Sequence, residues 1–309
     1  MLREGAELNL TKINKIKSMN YGGLYINDEL SEDIVLEDLI PFELKLRAFR
    51  ALDARDYEKC VDIAKEFVNE LYDKKSLAIN IIDIKNINSY TINHSINVCV
   101  NSIILGIAAG MNRNDLEHLA VAAILADVGK FDISNEIWHK KGKLTDKEME
   151  MVKQHPKIAF ENLKAHPCIS PISRNAILFS HENLDGSGYY GKVGDEIRIN
   201  ARIIHLMDSF DALTSVRKHR QAYSIKESTE LLMGSTNQYD KDLLRLMSQL
   251  FPIYPIGMTV NLSNGEKAII RSNDHNVIRP IIRLMKTGEL IDLSDNALYR
   301  NVVIQDIDR

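Results

Sequence analysis

Four short segments set imidazoles and carboxylates in or beside apolar helical sequence. They are SYTINHSINV with His94, ILADVGKFD with Asp127 and Lys130, MVKQHPKIAF with His155, and SHENLDGSGYYG with His181. A fifth, ARIIHLMDSFDALTSVRKHR, adds Asp208. Imidazoles and carboxylates that converge in space can hold a divalent metal. Singly, each signal is weak, because a helix histidine more commonly ends as a polar surface residue or a capped core residue. Asp208 is harder to set aside, since a carboxylate in an apolar helix needs a partner. Asp127 poses a question of its own: an acid so placed often follows a histidine, and here Ala126 precedes it.

The elements that must position these residues are mostly helices. From Pro41 to about Leu250, apolar residues recur at three and four, as in FELKLRAFRAL, LEHLAVAAILADV and ARIIHLMDSFDAL. Thr145 followed by Asp146, Lys147 and Glu148 reads as a helix start with a capping box. After FPIYPIG the pattern alternates instead. MTVNLSNGEKAIIR turns at Asn264-Gly265 and PIIRLMKTGELIDL at Thr287-Gly288, which predicts two hairpins. The fold class expected is mainly α, with a small C-terminal β module over residues 251–309. Residues 41–250 form the helical domain, and 1–40 a partial, strand-containing α/β lead-in around GGLYI.

Bulk properties narrow the function. A net charge of −4 argues against a generic nucleic-acid binder, so no DNA partner is expected. Cys60, Cys99 and Cys168 are scattered, which fits a reducing compartment without disulfides. MLREGAELNLTKINK lacks the apolar core of a signal peptide. VCVNSIILGIAAGM is interrupted by Asn101 and is short for a membrane span. A cytoplasmic location is expected.

Together the motifs resemble the HD-GYP family, bacterial phosphodiesterases that hydrolyse cyclic di-GMP. HENLDGSGYYG at 181–191 looks like that family's HExxDGxGYP element, with Tyr190 where the family has proline. YTINHS, DVGK, QHPKIA and DSFDALTS follow in the family's order. The resemblance implies an HD-domain helical bundle and metal ligands at His94, Asp127, His155, His181 and Asp208. It also answers the question of Ala126, which stands where the family has a histidine; Ser180 replaces a second one. With Asp127 bridging, one ion would keep His94, Asp127 and Asp208, the other Asp127, His155 and His181. Two ions, Fe or Mn favoured, are expected, with a single metal or none as alternatives.

The same resemblance gives Lys130 a phosphate to contact, as a catalytic charge beside Asp127. It assigns Arg217, Arg220 and Tyr189 to the dinucleotide, with Asp185, Gly186 and Gly188 forming a turn able to approach a ligand. Glu182 is read as an acceptor orienting an imidazole, and His205 as a possible replacement ligand whose plainer reading is packing. Tyr90 stands where some members carry a glutamate for a third metal. His118, His139, His166, His219 and His275 are expected at the surface, and Met149, Met151 and Met207 in the core. The implied function is a metal-dependent phosphodiesterase opening cyclic di-GMP to pGpG or GMP, weakened by two lost ligands. The alternative is a degenerate cyclic-dinucleotide sensor or interaction scaffold. A homodimer or a protein partner is left open.

Overall fold

The computed structural model describes residues 7–18, 33–34, 39–74, 90–138, 140, 142–215, 222–273 and 276–307. After α1 (Leu10–Ser18) come α2 (Phe42–Asp53), α3 (Tyr57–Tyr72), α4 (Tyr90–Ala108) and α5 (Arg113–Leu125). A 3-10 turn at Val128–Asp132 leads to α6 (Asn135–Trp138), α7 (Asp146–Val152), α8 (His155–Leu163) and α9 (Pro171–Leu178). The helical part closes with α10 (Ile199–Thr214), α11 (Ile225–Gly234) and α12 (Lys241–Leu250). The strand expected in GGLYI lies outside the described residues.

Helix starts follow the caps in the sequence. Asn112 accepts from the Asp115 N–H to open α5, and Ser170 accepts from Ser173 to open α9, whose first turn also holds Pro171. Thr145 and Glu148 form the expected capping box on α7. α5 is the central helix. Leu116 and every residue from Leu119 to Leu125 are buried, so its second half is apolar all round and must be enclosed. α3, α4, α9 and α10 enclose it. Of α4, the stretch Thr91–Ala108 is long and apolar enough to cross a membrane by composition, but 67% of it is buried, as a core helix requires. Phe210 and Phe251 meet at 4.8 Å between ring centroids and pin α10 to the end of α12. Each such fully buried ring stabilises the fold by roughly 1.5–3 kcal/mol.

A second, separate hydrophobic cluster lies in the C-terminal sheet. Strands β1 (Thr259–Leu262), β2 (Lys267–Ser272), β3 (Ile281–Leu284), β4 (Leu290–Asp292) and β5 (Ile304–Ile307) pair antiparallel in the order β4-β3-β2-β1-β5. A short helix, α13 (Asn296–Tyr299), precedes β5. Both hairpins fall where the sequence places them. Gly265 and Gly288 take φ of +85° and +73°, the left-handed backbone these tight turns demand.

Met207 is fully buried as expected, whereas Met149 and Met151 are 41% and 52% exposed. They sit on α7, which buries none of its residues, so its apolar positions mark no core face. Cys60 and Cys99 are buried and Cys168 exposed, all unpaired.

Candidate metal centre

Five helical segments converge on one buried point. α4 presents His94, and the C-terminal end of α5 delivers Asp127 at the start of the 3-10 turn that carries Lys130. α8 opens with His155; the chain leaving α9 brings Ser180 and His181; α10 contributes Asp208. Gly129 explains the close approach of the 3-10 turn to α8. A Cβ there would lie 2.0 Å from the His155 carbonyl oxygen and 2.9 Å from the Ala159 nitrogen, so only glycine lets the two backbones touch.

The donors form two groups that share Asp127. His94, Asp127 and Asp208 are one, and Asp127, His155 and His181 the other, with ligand atoms in each within 4.8 Å of one another. His94 Nε2 lies 2.8 Å from Asp208 Oδ1 and 3.6 Å from Asp127 Oδ2. His155 Nε2 lies 3.6 Å from Asp127 Oδ1 and 3.0 Å from His181 Nε2. Two nitrogens each about 2.1 Å from one cation, at right angles, would stand about 3.0 Å apart, so the imidazole pair fits a shared ion. Asp127 Oδ1 is buried without a hydrogen-bond partner, and Lys130 Nζ stands 2.6 Å from Oδ2. A buried carboxylate so sparsely bonded suits a cation on either side.

Protonation is consistent with that use. Burial, helped by the Lys130 charge, drops His155 to about 3, and burial also lowers His181, so both rings are neutral near pH 7. Burial opposes charge on His94 as well, but hydrogen bonds to Asp208 and Asp211 win and raise it to about 9. For Asp127, burial favours the neutral acid but the charges of Lys130 and His94 hold it ionised. Asp208 is likewise held low, by the His94 hydrogen bond against burial. The metal-free centre therefore has cationic His94 among ionised carboxylates, and a metal must displace that proton.

A scan against family models matches this chain to the HD domain over residues 76–243. The chain belongs to the HD-domain family. It is 26% identical over 227 residues to the cyclic di-GMP phosphodiesterase PA4108 of Pseudomonas aeruginosa, covering 72% of this chain and 54% of that protein. To the cyclic di-GMP phosphodiesterase PdeB of Borreliella burgdorferi it is 27% identical, over 69% of this chain and 57% of the relative. The chain thus spans about half the length of these curated relatives. Among solved structures, Bd1817, a HDG"Y"P protein from Bdellovibrio bacteriovorus, shares the fold with a TM-score of 0.57. The match is 16% identical and covers 71% of this chain and 74% of that one. Within the HD-domain family the chain is of the HD-GYP type, as its HENLDGSGYYG element indicates.

In this HD domain, Ala126 and Ser180 face the centre without supplying a ligand. They line a cavity of about 10 Å³ together with His94, Asp127, His181 and Asp208, room for a single water. Ser180 Oγ is committed elsewhere, donating to the Ile177 carbonyl at 2.9 Å. His205 falls outside both donor groups; its Nε2 bonds Asn183 Oδ1 at 2.8 Å and its ring stacks on Tyr239. Tyr189 stacks on His181 instead of standing open, with centroids 4.8 Å apart and 18° between planes. Burial pushes its phenol up to about 12.

Other expectations change. Glu182 orients no imidazole; its buried carboxylate accepts from the backbone N–H groups of Tyr190 and Lys192 at 2.6 and 2.7 Å, closing the loop. Gly188 is needed for the same closure, because a Cβ there would lie 2.5 Å from the Glu182 Cα. Gly186 takes φ +80° and Asp185 accepts from the Ser187 N–H and hydroxyl, so this turn is shaped by its own bonds. His118 and His166 are half-buried rather than at the surface, His118 against Ser170 and His166 edge-on to Tyr57. Arg217, Arg220, His139, His219, His275 and the Tyr90 side chain lie outside the described residues. Sequence reasoning missed Asp211, although its i,i+3 spacing from Asp208 on one helix could have flagged it.

Proposed function

We propose that this HD-GYP-type chain is a metal-dependent phosphodiesterase acting on a cyclic dinucleotide, cyclic di-GMP in the first instance, in the cytoplasm. The observation that carries the reading is the pair of three-donor groups joined through Asp127. When bound, a two-metal centre supplies an acidified water and takes up charge on the phosphate oxygens. His94, Asp127 and Asp208 would hold one ion, and Asp127, His155 and His181 the other, Fe or Mn being favoured by this donor set. Lys130, held at Asp127, balances the negative charge that develops on the phosphoryl group. Tyr189 roofs His181 and keeps bulk water from that side of the centre. Arg217 and Arg220 are proposed to grip the phosphates. The helical unit is taken as 41–250, flanked by the lead-in 1–40 and the β module 251–309.

Three donors per ion, without imidazoles at 126 and 180, means a centre of reduced affinity. The alternative of a sensor that binds without turnover draws on that observation. Anaerobically purified protein, incubated with Mn or Fe and cyclic di-GMP, is expected to release pGpG or GMP. Binding of the dinucleotide with no product at full metal occupancy would leave the sensor; neither metal nor dinucleotide bound would defeat both.

A further inference from the structure

We propose that Asp211 is a positioning residue that fixes the tautomer of His94 and so decides whether the His94–Asp127–Asp208 half of the centre can take a metal. The inference rests on the metal-centre reading above. Asp211 lies on α10, one turn after Asp208, and is 2% exposed. Its Oδ2 receives His94 Nδ1–H at 2.7 Å. The same oxygen receives the Ser215 hydroxyl at 3.1 Å, and Oδ1 receives Asn97 Nδ2–H, also at 3.1 Å. Asn97 and Ser215 thereby hold the carboxylate in one orientation against the ring.

A neutral imidazole has one N–H and one lone pair. An acceptor clamped on Nδ1 keeps the proton there and leaves Nε2, the nitrogen facing Asp208 and Asp127, free to bind a cation. The other half sets its tautomer independently, since His155 Nδ1 donates to the Val152 carbonyl at 2.8 Å. Asp211 therefore acts on one half of the centre only. Replacing it by asparagine puts an amide N–H donor where His94 needs an acceptor, or reverses the amide and sets its donors against Asn97.

The test is Mn titration of the whole chain, followed by calorimetry, for wild type, Asp211→Asn, His94→Gln and the double variant. Asp211→Asn is expected to weaken one of two binding steps by about 10–100-fold and leave the other unchanged. In the His94→Gln background the same substitution is expected to change nothing, because its effect passes through His94. Two unchanged steps in Asp211→Asn overturn the inference. So does an equal loss in both steps, or a further loss in the double variant, each of which marks a merely structural role. Wild-type protein that takes up no metal overturns the inference and the centre together. Two bound metals without turnover overturn only the phosphodiesterase reading.

Discussion

Gly129→Ala offers a sharp perturbation because its consequence can be worked from distances. The added carbon would sit 2.0 Å from the His155 carbonyl oxygen, where ordinary contact begins at 3.4 Å, so the two backbones must part by about 1.4 Å. Both clashing groups are main chain, and no side chain can rotate away. The His155 carbonyl belongs to the first residue of α8, so relief of the clash moves the ring that faces Asp127 and His181. Ligand distances tolerate only about 0.2 Å. Overpacking of this kind costs about 1–3 kcal/mol, a fall in Tm of several degrees. The expected result in a Mn titration is loss of the Asp127–His155–His181 step by at least tenfold, together with the lowered Tm. A variant with unchanged Tm and two wild-type binding steps would refute the reasoning that glycine is there to bring the two segments together.

Ala126→His combined with Ser180→His should destabilise the metal-free protein by about 1–3 kcal/mol and so lower its Tm, because the lining cavity holds only a water. The same variant should bind Mn more tightly and turn over faster, which paired Tm scans with and without metal and a pGpG assay would check. Glu182→Gln keeps one acceptor but sets an amide donor against the other of the two backbone N–H groups, and should cost about 1–3 kcal/mol. Its signature is faster proteolysis within residues 183–193 than elsewhere. The metal-free protein should also be most stable near pH 6.5. His155, lowered to about 3, is neutral when folded but protonates when unfolded, so its contribution is lost as pH falls from 6.5 towards 3. His94, raised to about 9, stays protonated when folded, and its contribution is lost as pH rises from 6.5 through 9. Urea midpoints measured in chelator across pH 4–9 should trace this dome; a monotonic profile would contradict it.

Much of this was legible in the sequence, and the exceptions share a cause. The hairpins at Asn264-Gly265 and Thr287-Gly288 and the Thr145 cap depend on neighbours a few residues apart, so local chemistry dictates them. The convergence of His94, Asp127, His155, His181 and Asp208 came from matching motifs, since periodicity alone assigns a residue to a face and never names what it meets. That is why Glu182 was given an imidazole when it holds two backbone amides, and why Asp211 escaped notice inside DSFDALTS. Met149 and Met151 misled for a related reason: apolar type predicts burial only where a partner surface exists. Gly129 reads from sequence as a turn residue, yet its value lies in what it allows to approach.

The sharing of Asp127 between two ions is tested most directly by counting bound metal in three variants after anaerobic loading. The expected occupancies are two ions per chain in wild type, one each in His94→Gln and His155→Gln, and none in Asp127→Asn. An Asp127→Asn protein that keeps one ion at wild-type affinity would show that the two donor groups do not meet at that carboxylate.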